Sequence, residues 1–197
     1  MNANADNMIR GMMGKYNKQR KNITSWDDTY MILAEMVAML RGKDPSTQVG
    51  AFIADSEHRP LAFGYNGTPR GWDDADFPWD STGEPLECKD MFVVHAERNC
   101  IRNAPAGLTG FGGATMYVSL YPCNQCALEI ANSGIKRIVY REKRDCLKTQ
   151  ASEMILAHAG VECVQLPPLN IIRLLKMIIN WNHADMHAII SGLSGNK

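Results

Sequence analysis

Two short segments constrain this chain more than any other part of it: His95-Ala96-Glu97 and Pro122-Cys123-Asn124-Gln125-Cys126. Each follows extended or loop structure and opens a predicted helix, so each presents its side chains at a helix start. Together they offer one imidazole, two thiols and one carboxylate. Zinc prefers tetrahedral nitrogen and sulfur ligation, and a catalytic site takes three protein ligands and leaves the fourth position to water. His95, Cys123 and Cys126 fill that requirement. Two cysteines three apart at a helix start can converge on one ion, and the N–H groups exposed there favour thiolates. Glu97 need not bind the metal. Two positions after the histidine, it can take a proton from the bound water and deliver it elsewhere, as a general acid/base.

A structural zinc site would close its coordination sphere with a fourth protein ligand. Cys88 and Cys100 are the nearest candidates in sequence, and each is more simply an ordinary buried thiol. The pattern therefore points to one catalytic zinc per chain.

Composition describes the setting. With 45% hydrophobic and 21% charged residues, the chain is of the globular class, and 197 residues fit a single domain. No run of about 18 apolar residues exists for a membrane span, and the N-terminus lacks a signal-like apolar core. We therefore expect a cytoplasmic protein, no membrane partner, and six reduced cysteines. Lys plus Arg and Asp plus Glu are equal at 21 each, so no nucleic-acid partner is expected and any phosphate must be met by a local cluster.

Residues 1–24 carry scattered bases (Arg10, Lys15, Lys18, Arg20, Lys21) with no sustained apolar period and read as a mobile tail; residues 25–197 read as one domain. Ser25 caps a helix with apolar positions Tyr30, Leu33, Val37 and Leu40, ending near Arg41-Gly42. Val49 to Ala54 and Leu61 to Tyr65 predict a β-hairpin, and residues 68 to 92 a long ordered loop. Further along come a helix over His95 to Asn103, a strand over Thr115 to Leu120, and a helix over Pro122 to Ser133 stopped by Gly134. A strand over Ile135 to Tyr140, a helix over Gln150 to Ala159 and a strand over Val161 to Leu166 complete an α/β alternation. Asn170 to Ile190 predicts an apolar C-terminal helix whose Ile, Leu and Met suit subunit packing as well as a core.

Four segments now align in order: Asp44-Pro45-Ser46-Thr47-Gln48-Val49-Gly50-Ala51, Gly64-Tyr65-Asn66-Gly67-Thr68-Pro69, His95-Ala96-Glu97-Arg98-Asn99 and Tyr121-Pro122-Cys123-Asn124-Gln125-Cys126. In this combination the chain closely resembles the deoxycytidylate (dCMP) deaminase family of the cytidine deaminase superfamily, whose zinc enzymes share the HxE and PCxxC segments. The similarity covers roughly Trp26 to Leu166. It implies a three-layer α/β/α cytidine deaminase-like fold with a mixed central sheet of about five strands, commonly assembled into homohexamers. It also implies hydrolytic deamination of dCMP to dUMP with release of ammonia, supplying dUMP for dTMP synthesis. Hydroxide attacks C4, and Glu97 protonates N3 and then the departing amine.

The resemblance further implies that Asn66 hydrogen-bonds the sugar hydroxyl or base, that the backbone around Ala96 holds the pyrimidine carbonyl and exocyclic groups, and that Tyr121 forms an aromatic wall. Plainer alternatives stay open: Asn66 can serve a left-handed turn, and Tyr121 can simply pack. A desolvated phosphate needs charge-assisted partners; Arg41, Lys43 and Ser46, bunched before the first strand, and Lys143 after the 135–140 strand are the candidates. For each of these bases a solvated surface charge is the alternative. In the family the Gly-Tyr-Asn-Gly turn is linked to control by dCTP and dTTP with Mg2+, although Arg70 to Asp80 assigns no effector contacts. Some relatives carry a second, structural zinc in the insertion before the His-Ala-Glu segment; here that insertion offers Cys88 alone.

Two rivals remain at this point. The zinc segments do not separate dCMP from dCTP, a modified dCMP, tRNA adenosine, or a riboflavin or pterin precursor, although the balanced charge argues against tRNA. A catalytically silent zinc protein that binds nucleotides is the other, and a retained Glu97 speaks against it.

Overall fold

The computed structural model describes residues 23–105 and 110–168. All but the last two residues of the expected tail, and the whole helix expected over 170–190, lie outside the described residues.

Helix α1 (Trp26–Arg41) begins as its sequence dictates. Ser25 takes extended backbone and its side chain accepts from the Asp28 N–H, while Asp27 and Asp28 occupy the first turn and Arg41 the last. Its buried face departs from expectation. Tyr30, Met31, Ala34 and Ala38 are buried, whereas Leu33, Met36, Met39 and Leu40 are exposed. The cause is a close approach: a Cβ on Gly50 would stand 1.9 Å from the Ala34 carbonyl oxygen. The helix backbone lies directly on the first strand, and small residues line the seam because larger ones would hold the two apart.

Strands β1 (Gly50–Ala54) and β2 (Pro60–Tyr65) form the expected antiparallel hairpin. The other edge of β1 takes β3 (Thr115–Leu120) antiparallel, and β4 (Arg137–Glu142) and β5 (Glu162–Gln165) follow in parallel. The order is β2-β1-β3-β4-β5, a mixed five-stranded sheet. Helices α3 (Asn124–Ser133) and α4 (Leu147–His158) supply the two crossovers that parallel pairing requires. Helix α4 starts earlier than the expected Gln150, and α3 ends at Gly134 with φ 87, a left-handed conformation that glycine adopts without strain.

Alternation along the strands sorts the core into two layers. Ala51, Ile53, Met116, Val118 and Ile138 face the side where α2 (Ala96–Arg102), α3 and α4 contribute Cys100, Ile130 and Leu156. Phe52, Ala54, Tyr117 and Val139 face the side where α1 contributes Tyr30, Met31 and Ala34. Helices on both faces complete the three-layer α/β/α arrangement. Residues 68–92 form an ordered loop with short 3-10 turns at Pro85–Glu87 and Lys89–Met91. The loop is closed at its base by the Gly67 to Val94 bridge. No described helix is long and apolar enough to cross a membrane.

The seam at Gly50 yields the first test. Gly50→Ala forces α1 away from β1 and lowers stability by about 1–3 kcal/mol, the usual cost of overpacking a close contact. Chemical denaturation at constant m-value measures it, and an unchanged midpoint contradicts the seam.

Candidate active site

Helix α2 is pressed onto β2 by another missing side chain. A Cβ on Gly64 would lie 2.3 Å from the Cys100 nitrogen and 2.5 Å from the Ala96 carbonyl oxygen. Asn99 and Asn103 then fasten the helix by donating from Nδ2 to the Tyr65 and Phe63 carbonyls at 2.8 and 3.0 Å. Arg98 Nε donates to Glu129 Oε1 at 2.6 Å and ties α2 to α3. The starts of α2 and α3 thereby come together on one face of the sheet.

His95 is the N-cap of α2, Cys123 is the N-cap of α3, and Cys126 stands one turn into α3. The His95 Nδ1 atom is 3.5 Å from Cys123 Sγ and 3.4 Å from Cys126 Sγ, and the three donor atoms lie within 4.8 Å of one another. Among the described residues no fourth His, Cys, Asp or Glu joins them. Zinc bonds of about 2.0–2.1 Å to nitrogen and about 2.3 Å to sulfur, at tetrahedral angles, place N and S about 3.5 Å apart. The donors fit that ion, and soft thiolates beside an imidazole select it over hard cations. Cys88 and Cys100 are buried thiols outside the cluster. Burial pushes the Cys100 thiol far above its ordinary range, which leaves it inert.

The neighbouring Cys126 thiol and the His95 imidazole hold the Cys123 thiol well below its ordinary range, while Cys123 and burial push Cys126 up. Cys123 likewise raises the His95 imidazole, despite the opposing effect of burial. Glu97, 4% exposed, has its carboxyl raised by burial. That shift moves it toward the range where a carboxylate is an effective base.

These groups open into a cavity of about 270 Å³ at the carboxyl ends of β3 and β4, bounded by the approach to β1 and the exit from β2. Asn66, Ala96, Glu97 and Tyr121 line it. Asn66 is not in a left-handed conformation, since His58 is the one described non-glycine residue with positive φ. Its buried amide is held locally: Oδ1 accepts from the Val49 N–H at 2.8 Å, and one Nδ2–H donates to the Thr47 carbonyl at 2.9 Å. Tyr121 both lines the cavity and packs edge-on against Tyr140, with centroids 4.7 Å apart.

The bases expected to meet a phosphate are placed elsewhere. Arg41 is exposed at the end of α1, and Lys43 pairs with Asp74. The Ser46 hydroxyl is engaged by Asp44 and Lys89. Lys143 pairs with Glu153 and sits 5.6 Å from the Tyr121 ring centroid. None of these four lines the cavity; its cationic wall is Lys89, Arg144 and Lys148. Consecutive residues leaving a strand diverge to opposite sides, which separates Lys143 from Arg144. Lys89 carries no sequence signal beyond its place before the His-Ala-Glu segment, and Arg144 and Lys148 only their nearness to β4.

Residues 24–142 match the family described as cytidine and deoxycytidylate deaminase zinc-binding region. A probable deoxycytidylate deaminase of Drosophila melanogaster is 41% identical over 73% of this chain and 73% of its own length. The deoxycytidylate deaminase of Mus musculus is 38% identical over 84% and 90%. The dCMP deaminase of cyanophage S-TIM5, solved in complex with dCMP and dUMP, superposes with a TM-score of 0.59 at 25% identity, covering 74% of this chain and all of that one.

Metal analysis of purified protein is expected to give one zinc per chain. Cys126 and His95, both held above their ordinary values, must shed protons on binding, so affinity weakens as pH falls. Chelator competition at several pH values checks the sign, and a pH-independent affinity contradicts the donor set.

Proposed function

Because the chain belongs to the cytidine and deoxycytidylate deaminase zinc-binding family, we propose that it hydrolyses dCMP to dUMP and ammonia in the cavity beside Glu97. The observation that carries this is a buried carboxylate next to a convergent imidazole and two thiols that leave one tetrahedral position to a water.

A zinc ion held by His95, Cys123 and Cys126 supplies Lewis-acid activation of water when bound. Glu97, made more basic by burial, accepts the water proton as C4 is attacked. It passes that proton to N3, then relays the proton of the new C4 hydroxyl to the amine, so that the C4–N bond breaks to ammonia and the C4 carbonyl of uracil forms. We assign the Ala96 backbone, at the first turn of α2, to the pyrimidine edge and Tyr121, which lines the cavity, to the wall beside the ring. Arg144 and Lys148 are the groups we assign to the 5′-phosphate. Arg144 is oriented by donating from Nη2 to Thr47 Oγ1 at 3.2 Å, and a guanidinium suits a phosphate because its N–H fork matches two oxygens.

The proposal extends to a cytoplasmic homohexamer, controlled by dCTP and dTTP with Mg2+, that supplies dUMP for dTMP synthesis. The Gly64-Tyr65-Asn66-Gly67 turn, through the family resemblance, supports the regulation, and the relatives named for dCMP deamination support the dUMP product.

Ammonia release from dCMP, CMP, dCTP, deoxycytidine and 5-methyl-dCMP tests the substrate. The expected order places dCMP first, and a preference for deoxycytidine contradicts the phosphate assignment. Glu97→Gln keeps fold and zinc while turnover of dCMP falls by about 10²–10⁴-fold, the range of a lost general acid/base. Unchanged turnover refutes the role.

A further inference from the structure

Two charged side chains in the cavity wall have no part in the chemistry above. Lys89 and Asp44 are 5% and 2% exposed, and Lys89 Nζ lies 2.5 and 2.7 Å from the two Asp44 carboxylate oxygens. The third ammonium proton goes to Ser46 Oγ. With its three donors spent, Lys89 has none left for a ligand. Burying such a pair gains little over apolar residues of similar volume, so stability gives a weak reason for it to be here.

The hydrogen bonds lead from this pair to Asn66. Asp44 accepts from the Ser46 and Thr47 N–H groups at 2.9 and 3.0 Å, which shapes the turn entering β1. The carbonyl of Thr47 and the N–H of Val49, just beyond that turn, hold the Asn66 amide on both sides. One Nδ2–H of Asn66 meets Asp44 Oδ2 at a long 3.4 Å, while Lys89 occupies the same oxygen at 2.7 Å. Both Nδ2–H groups of Asn66 are thereby met from the approach to β1, and Oδ1, with one lone pair on Val49, keeps its second for the cavity that Asn66 lines. Although burial opposes ionisation of Asp44, the Lys89 ammonium and the two backbone N–H groups hold its carboxyl below the ordinary value. Lys89 also belongs to the 68–92 loop, so the pair anchors that side of the cavity to the approach to β1; Lys43 and Asp74 form a second link of reversed polarity.

We propose that Lys89, acting through Asp44, is a positioning residue that presents the Asn66 amide to the sugar of a bound nucleotide. This rests on the reading of the cavity as a nucleotide site. The contact belongs to the bound ground state as much as to the transition state, so its loss raises KM and leaves kcat nearly unchanged.

A double-mutant cycle on zinc-loaded full-length protein tests it with dCMP. Lys89→Met and Asn66→Ala are each expected to raise KM by about 3- to 10-fold, the value of one neutral hydrogen bond, with kcat within about 2-fold. If Lys89 acts through Asn66, the two together raise KM no further than Asn66→Ala alone. Additive effects, or a Lys89→Met enzyme with wild-type KM, overturn the proposal, as does loss of zinc or of kcat at constant KM. Should Lys89→Met fail to fold around an uncompensated Asp44, the Asp44→Asn, Lys89→Met enzyme leaves no lone buried charge and enters the cycle in its place. A wild-type enzyme inert toward dCMP would instead defeat the reading of the cavity itself, which keeps the two failures apart.

Discussion

Ligands carried by two separate helices meet within 4.8 Å only if both helix starts are held on one face of the sheet, and backbone contact between α2 and β2 enforces this. At Gly64 the helix comes so close that no Cβ fits, and Asn99 and Asn103 clasp the strand carbonyls on either side. Interiors are close-packed and pass small displacements on rather than absorbing them, so a shift of α2 at this contact would move His95 and Glu97 together. The Arg98 to Glu129 pair carries the same constraint across to α3 and its cysteines.

From that placement the electrostatics of the site follow. The burial of Glu97 raises its proton affinity, and the closeness of the two thiols holds Cys123 low and Cys126 high. The cationic groups are arranged by depth. Lys89 is buried and neutralised by Asp44, whereas Arg144 and Lys148 stand at the exposed rim. A chain with equal numbers of acidic and basic residues can still gather cations locally in this way.

Much of the fold was legible because its signals are local. The Ser25 cap, the hairpin runs either side of residues 55–59, and the stop at Gly134 each depend on a few neighbouring residues, and the elements stand where those signals put them. The face of α1 was not legible. Apolar period alone favours Leu33 and Leu40, but the strand underneath presents Gly50, and a glycine there admits Ala34 and Ala38 at backbone contact while the larger side chains point away. The composition of a helix does not contain the shape of the surface it will meet.

The sequence by itself determined the donor atoms of the metal site and the free carboxylate, because ligand chemistry and position at a helix start are properties of short segments: His95 with Glu97, Cys123 with Cys126. It also determined the α/β alternation of elements, through the change of periods along the chain, while the mixed sheet was what the family resemblance implied. Only the tertiary structure decided which cations face the cavity, placing Arg144 rather than Lys143 there, and Lys89 rather than Lys43. It alone showed the Asn66 amide committed to Thr47 and Val49. The physical reason is that a long charged side chain is directed by whichever opposite charge and cavity wall lie within reach, and those come from parts of the chain far apart in sequence.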